Sequence, residues 1–260
     1  MIPKIIHYCW FGGAEKSELI QKCINSWKKR CPEYEIIEWN ENNFDINTMQ
    51  YIKEAYEAKK WAFVSDVVRL IVLIRYGGIY LDTDVKILEN NVFDQYLLYK
   101  NVLVFDNERS IASGLFCASI KNSELLESFL ECYKNIHFDC KKMKTNTAMN
   151  KPVIKKYFPT LKWNAETQII NNTYIMSPGE YNLIMKHYGT RSWLENNPGY
   201  VVTKDNKLKK ILRSPKIFEC LDRTKLGRKV IPIYEFISYD LLDLGVLYYI
   251  RRIILKIKNK

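Results

Sequence analysis

Two aspartates one residue apart, Asp82 and Asp84, follow a glycine pair and a β-branched and aromatic run in Tyr76-Gly77-Gly78-Ile79-Tyr80-Leu81-Asp82-Thr83-Asp84-Val85. Residues i and i+2 of an extended chain project from the same face, so the two carboxylates are expected to converge on one point. Two like charges held together need a cation. Hard carboxylate oxygens suit Mg²⁺ or Mn²⁺, ions that keep positions open for water and for phosphate oxygens. Such a centre neutralises a diphosphate group as it departs. Asp also favours solvated turns, so the pair by itself leaves an ordinary surface turn open.

The segment that must position this pair is informative. Ala62, Phe63, Val64, Val67, Val68, Leu70, Ile71, Val72, Leu73 and Ile74 make the preceding helix apolar nearly all round, which predicts a buried helix. Asp66 and Arg69 interrupt it three residues apart, on one face. Charges at such depth are almost never left unpaired. They are either a structural ion pair joining helix to sheet, or polar groups reaching a ligand's hydroxyls and phosphate.

Around that helix the pattern predicts a strand at Lys4 to Phe11, a helix at Glu15 to Lys29 and a strand at Tyr34 to Trp39. Residues Tyr51 to Arg75 are expected to be mostly helical with a break at Lys59 and Lys60. Further strands are expected at Val102 to Phe105 and Leu115 to Ser119, then a helix at Glu124 to Asn135. Strand, helix and strand in alternation predict an α/β domain with a mainly parallel sheet.

With 260 residues and 47% hydrophobic content the chain can bury a full core, as one large domain or a domain with a small annex. The 18 Tyr, 11 Phe and 6 Trp supply rings that serve either as core filler or as stacking surfaces for sugars and bases. Seven cysteines, Cys9, Cys23, Cys31, Cys117, Cys132, Cys140 and Cys220, form no C-x-x-C pair, which points to reduced thiols. The residues after Met1 read directly as a strand without the features of a signal peptide, and no run approaches the roughly 18 apolar residues of a spanning helix. The expected location is the cytoplasm.

The net charge of +11 is concentrated near the end of the chain. From Lys204 to Lys260 there are 15 Lys and Arg against six Asp and Glu, nine of the eleven net positive charges. A boundary is therefore expected near Lys204, giving a domain of residues 1–203 and a basic annex of 204–260. Within the annex, Tyr234 to Lys260 places Phe236, Leu241, Leu244, Leu247, Ile250 and Ile254 at helical spacings and ends in Arg251, Arg252, Lys256, Lys258 and Lys260. Such a helix either lies in the headgroup layer of an anionic membrane or docks on the core with its lysines solvated at a helix C-terminus. The basic residues are not interleaved with a reading motif for nucleic acid, and none is expected as a partner.

Three blocks in order, Ile6-His7-Tyr8-Cys9-Trp10-Phe11-Gly12-Gly13, Ala62-Phe63-Val64-Ser65-Asp66-Val67-Val68-Arg69 and Gly77-Gly78-Ile79-Tyr80-Leu81-Asp82-Thr83-Asp84, resemble the signature of glycosyltransferase family 32. The family includes bacterial capsule and surface-polysaccharide transferases and the yeast initiating mannosyltransferase, and its blocks are similar to those of glucosylating bacterial toxins. The match is tight over about residues 2–90 and looser to about 195. The resemblance implies a GT-A fold, a Rossmann-like α/β domain that binds a nucleotide sugar at the C-terminal ends of its strands. It also implies that Trp10 stacks on the nucleobase, with His7 shaping that pocket, and that Asp66 and Arg69, beside Ser65, hold the donor sugar. Tyr80 lines the pocket, Asp82 meets ribose and sugar hydroxyls, and Asp84 binds Mn²⁺ or Mg²⁺ directly.

The later block His187-Tyr188-Gly189-Thr190-Arg191-Ser192-Trp193 resembles the family's histidine block. His187 then completes the metal sphere, or is a hydrogen-bonded structural residue, while Ser192 and Trp193 close over the donor. Ser113-Gly114 and Asn146-Thr147 fall where family members present acceptor-side loops. The function implied is metal-dependent, retaining transfer of a hexose, from UDP-galactose or UDP-glucose in preference to a GDP sugar, onto a saccharide acceptor. With the basic tail, that acceptor is expected to be lipid-linked, for a capsule or surface glycan at the inner face of a cell membrane. The competing readings are a nucleotide-sugar hydrolase or phosphosugar transferase, a non-catalytic glycan-binding or scaffold protein of the same fold, and a toxin-like enzyme.

Overall fold

A computed structural model describes residues 1–140, 142 and 144–189 of the chain. The expected annex from residue 204, its amphipathic helix, Cys220, Ser192 and Trp193 lie outside the described residues.

The chain opens with β1 (Ile5–Cys9), α1 (Glu18–Arg30) and β2 (Glu35–Trp39), a parallel unit in which Ile5 pairs with Glu35 and Cys9 with Trp39. Ser17 starts α1 by accepting from the Ile20 amide, and Glu18 and Lys28, Lys29 and Arg30 sit at the ends the helix dipole favours. Next come α2 (Gln50–Glu57) and α3 (Trp61–Tyr76), separated where Lys59 takes a positive φ of 55°, so the expected break is present. Gly77, at φ 68°, stops α3 with its amide on Leu73 O. The chain then enters β3 (Gly78–Leu81), parallel to β1. A Cβ at Gly78 would lie 2.7 Å from Ile5 O, so glycine here is what lets β3 approach β1.

After β4 (Val85–Ile87), β5 (Asn101–Asn107), β6 (Ser110–Ile111) and β7 (Phe116–Ser119) follow, then α4 (Glu124–Lys134), α5 (Asn146–Tyr157), β8 (Gln168–Ile170), β9 (Thr173–Met176), α6 (Pro178–Ile184) and β10 (Met185–His187). The large sheet runs β2-β1-β3-β7-β5-β9-β8, with β6 on β5, and a small sheet pairs β10 with β4. The α/β class holds, and the parallel β2-β1-β3 portion is the Rossmann-like arrangement that the GT-A resemblance implies. The sheet is mixed rather than mainly parallel: β7 enters between β3 and β5 antiparallel to both, and β8 returns antiparallel on β9. The β8–β9 hairpin turns through Asn171 and Asn172, both at positive φ, a preference of Asn that fits a tight turn.

Side chains alternate across the sheet. Ile6, Tyr8, Ile79, Leu81, Val102, Val104, Phe116 and Ala118 pack with Ile20, Ile24 and Trp27 of α1 on one face. Cys9, Tyr80, Leu103, Phe105 and Cys117 pack with α2, α3, α4 and α5 on the other. This is a three-layer α/β sandwich with two apolar cores. No helix among the described residues is long and apolar enough to cross a membrane.

His7 sits in the middle of β1 at 0% exposure. Its Nε2 donates to Gly77 O at 2.8 Å, and its Nδ1 accepts from Trp39 Nε1 at 3.1 Å, which fixes a neutral tautomer. Burial pulls its pKa down to about 4. The unfolded chain takes up a proton below about pH 6.5 while the folded chain resists until about 4, so the stability His7 supplies is present above 6.5 and lost as pH falls between those values. The shift corresponds to roughly 3 kcal/mol. Urea unfolding at pH 7 and pH 4 is expected to show this loss, and His7→Gln to flatten the pH dependence by about that amount. Equal slopes in both proteins would assign the acid sensitivity elsewhere.

Candidate active site

Asp82, Thr83 and Asp84 occupy a tight turn between β3 and β4, closed by Val85 N donating to Asp82 O at 3.1 Å. The two carboxylates therefore meet by turn geometry and not by the alternation of an extended strand. Beyond Leu81, the last β3 residue paired with β7, no ladder keeps the chain extended, and Asp-Thr-Asp carries turn-forming side chains. The short β4 is held from behind by α1: Trp27 Nε1 donates to Val85 O at 2.7 Å, and Ser26 Oγ accepts from Ile87 N at 3.0 Å. The other side of β4 pairs with β10, where His187 lies opposite Val85, and Tyr188 N donates to Asp84 O at 3.1 Å. This pairing carries His187 across 103 residues of chain to place its Nε2 3.2 Å from Asp84 Oδ1.

One ligand atom each from Asp82, Asp84 and His187 lies within 4.8 Å of the other two. Two carboxylates and an imidazole suit Mn²⁺, and Mg²⁺ less readily, with positions left for substrate oxygens. Burial, with Asp84 beside it, pushes Asp82 up to about 6 against the pull of Arg69. For His187, burial disfavours the imidazolium, but the Asp84 hydrogen bond and the charges of Asp84 and Asp82 raise its pKa overall. A bound dication would reverse both tendencies, favouring carboxylate and neutral imidazole.

Arg69 is 3% exposed and joins this centre to α3. Its Nη2 lies 2.9 Å from Asp66 Oδ1, its Nε donates to Ser65 O at 2.9 Å, and Nη1 lies 3.6 Å from Asp82 Oδ1. The guanidinium also stacks over the Tyr80 ring at 4.5 Å. Asn146 Nδ2 donates to Asp66 Oδ1 at 2.6 Å. Nη1 is buried and, apart from its ion pair with Asp82, makes no hydrogen bond among the described residues. Gly114 lets these two side chains pack against it: a Cβ there would collide with Arg69 Nη1 and lie 2.9 Å from Asn146 Nδ2. Asp66 and Arg69 thus form the ion pair of the first reading, and both also line the cavity.

These groups border a cavity of about 760 Å³ at the C-terminal ends of β1 and β3. Trp10, Ser65, Asp66, Arg69, Tyr80, Asp82, Asp84 and His187 all line it, so the structure brings eight of the expected site residues together. Gly114, Asn146 and Thr147 line it too, while Ser113 is buried away from it and accepts from Asn150 at 2.8 Å. His7 does not line the cavity; its ring is spent on Gly77 and Trp39, so it supports β1 from within the core instead of shaping a pocket. Cys9 does line it, and burial pushes its thiol up to about 12, which disfavours the thiolate there. Asp106, Trp61 and Thr145 are lining residues that sequence reasoning missed. For Asp106 a signal existed, since it is a carboxylate near the C-terminal end of β5, which runs in the same direction as β3.

Residues 17–104 match the family described as glycosyltransferase sugar-binding region containing DXD motif. The match contains the second and third blocks singled out above, and the resemblance holds there. A segment of 106 residues is 33% identical to inositol phosphoceramide mannosyltransferase 3 of Schizosaccharomyces pombe, covering 38% of this chain and 28% of that protein. Another of 111 residues is 28% identical to the Subversion of eukaryotic traffic protein A of Legionella pneumophila, covering 32% of this chain and 17% of that protein. The chain thus spans less than a third of the length of the curated relatives it matches. Among solved structures, the PaToxG glycosyltransferase aligns at 18% identity and TM-score 0.48 over 61% of this chain and 70% of that one. A glycosyltransferase involved in glycosylation of the major capsid of PBCV-1 aligns at 12% identity and TM-score 0.41, over 75% of this chain and 97% of that one.

Proposed function

We propose that this chain, whose residues 17–104 are a glycosyltransferase sugar-binding region with a DXD motif, transfers a hexose from a nucleotide sugar to a saccharide acceptor in a metal-dependent, retaining reaction. The observation that carries this reading is the convergence of Asp82, Asp84 and His187 on one point of the cavity that Arg69 also lines. Asp84, Asp82 and His187 would hold Mn²⁺ or Mg²⁺, which supplies charge neutralisation at the diphosphate. Arg69 orients and neutralises the phosphate side of the donor, and Asp66, fixed by Arg69 and Asn146, accepts from sugar hydroxyls. No side chain lining the cavity stands out as an obligatory nucleophile, and a front-face path fits this, in which the acceptor hydroxyl attacks the anomeric carbon as its bond to the diphosphate breaks and a leaving phosphate oxygen takes the proton.

UDP-galactose or UDP-glucose is the proposed donor. The S. pombe relative is by name a mannosyltransferase, which makes a mannose donor the second reading. The test is a thermal-shift screen of UDP and GDP sugars with and without Mn²⁺, followed by product analysis with and without saccharide acceptors. A metal-dependent shift with one donor and product only in the presence of acceptor supports the proposal; sugar release without acceptor assigns a hydrolase, and no shift with any donor assigns a non-catalytic binder.

The acceptor is proposed to be lipid-linked and to belong to capsule or surface-glycan synthesis, with the protein peripheral to the inner face of the membrane. The relative's name, which couples a mannosyltransferase to a ceramide lipid, and the basic, apolar sequence of residues 234–260 support this. Removing residues 244–260 is expected to abolish sedimentation with anionic vesicles while leaving donor binding intact; unchanged sedimentation would rule the tail out as the anchor.

A further inference from the structure

Trp10 enters the cavity wall already fixed. Its backbone amide donates to Trp39 O at 2.9 Å, and its indole Nε1 donates to Ala14 O at 2.7 Å. The indole therefore has no free donor, and what it offers a ligand is its ring surface alone. Lys16 Nζ sits 5.3 Å from the ring centroid. Trp10 lines the cavity, and Lys16, close to its ring, is not itself one of the lining residues. Lys16 is itself anchored: its Nζ lies 2.9 Å from Glu38 Oε2, which also accepts from Tyr8 at 2.5 Å, while Glu38 Oε1 accepts from Asn40 at 3.1 Å. Tyr8 and Glu38 face each other in the β1–β2 pairing, so the sheet holds the lysine and the lysine holds the ring.

We infer that Lys16, locked by Glu38, is a positioning residue that presets Trp10 as a rigid stacking platform for the base of a nucleoside diphosphate. This rests on the donor reading above. A ring immobilised before binding loses no rotamer freedom when a base lands on it, and such a contact is tolerant of base identity because it uses a π-face and no edge. The cation adds attraction to the indole that ties both side chains in one geometry. Discrimination between bases must then come from groups other than Trp10.

Calorimetric titration of the full chain with UDP, GDP and inorganic diphosphate, each with Mn²⁺, tests this. Lys16→Met and Glu38→Gln are expected to weaken the nucleoside diphosphates about three- to tenfold and to leave inorganic diphosphate unchanged. Lys16→Arg, which keeps the ion pair and the cation over the ring, is expected to remain within about twofold of the parent. Trp10→Leu separates the inference from the reading beneath it. If Trp10→Leu weakens UDP or GDP but Lys16→Met does not, the role of Lys16 is overturned while base stacking stands. If Trp10→Leu changes neither nucleotide, base stacking itself fails and the inference with it. Equal loss for diphosphate in Lys16→Met would make Lys16 a phosphate-binding charge and would also overturn it.

Discussion

Asp84→Asn is expected to reduce metal-dependent sugar transfer by about a hundred- to a thousandfold, the scale of several kcal/mol of charge stabilisation that a bound dication provides. The geometry makes the effect specific. Asn fits the same turn between β3 and β4 and keeps a side-chain oxygen toward His187, whose Nε2 lies 3.2 Å from Asp84 Oδ1. The change therefore removes charge and leaves shape. Thermal stability without metal should be close to the parent's or higher, because the repulsion between Asp82 and Asp84 is relieved. Activity against Mn²⁺ concentration is the measurement, with the unfolding temperature measured in parallel without metal. Transfer that stays within about threefold of the parent would show that the dication contributes little to the reaction.

Arg69→Ala is expected to cost about 3–5 kcal/mol of folding stability, a penalty out of proportion to one lost contact. Burial penalises the guanidinium, yet the neighbouring Tyr80, Asp82 and Asp66 favour its charged form. Deleting it strands Asp66, which is 8% exposed, and strips the cationic partner from Asp82. Asp66→Asn in the Arg69→Ala background should recover part of the loss, since the acid left unpaired becomes an amide that Asn146 can still meet. Urea denaturation of the two single variants and the double variant closes this cycle. Additive effects would mean that Arg69 and Asp66 do not depend on each other, against the 2.9 Å contact between them. Donor affinity should fall with stability in Arg69→Ala, because Arg69 lines the cavity beside Asp66 and Asp82.

Much of the frame was legible from periodicity. The opening β1-α1-β2 unit, the break at Lys59, the buried α3 and the strands at β5 and β7 follow from apolar spacing and from glycine and caps, because local sterics and burial on one face act over a few residues. The convergence of Asp66 and Arg69 was legible for the same reason, since a three-residue spacing on one helix fixes a common face. The hairpin of β8 and β9 was less so: its strands are three and four residues long, too short for a periodic signal, and only Asn171-Asn172 marked the turn.

Sequence by itself determined which residue types could hold a cation and a diphosphate, and which helix carried the buried charges. Tertiary structure decided how they meet. The aspartates converge through a turn braced by Trp27 and Ser26 of α1, and His187 arrives only because β10 pairs with β4. His7 and Trp10, three residues apart in the first block, are separated by the end of β1, one locked inside the core and the other on the cavity wall. Asp106 joins that wall because β7 lies antiparallel between β3 and β5 and so aligns β5 with β3. Spacing along a chain specifies neighbours within one helix or strand, whereas strand order and register, set by burial of whole faces, choose which distant ends share a site.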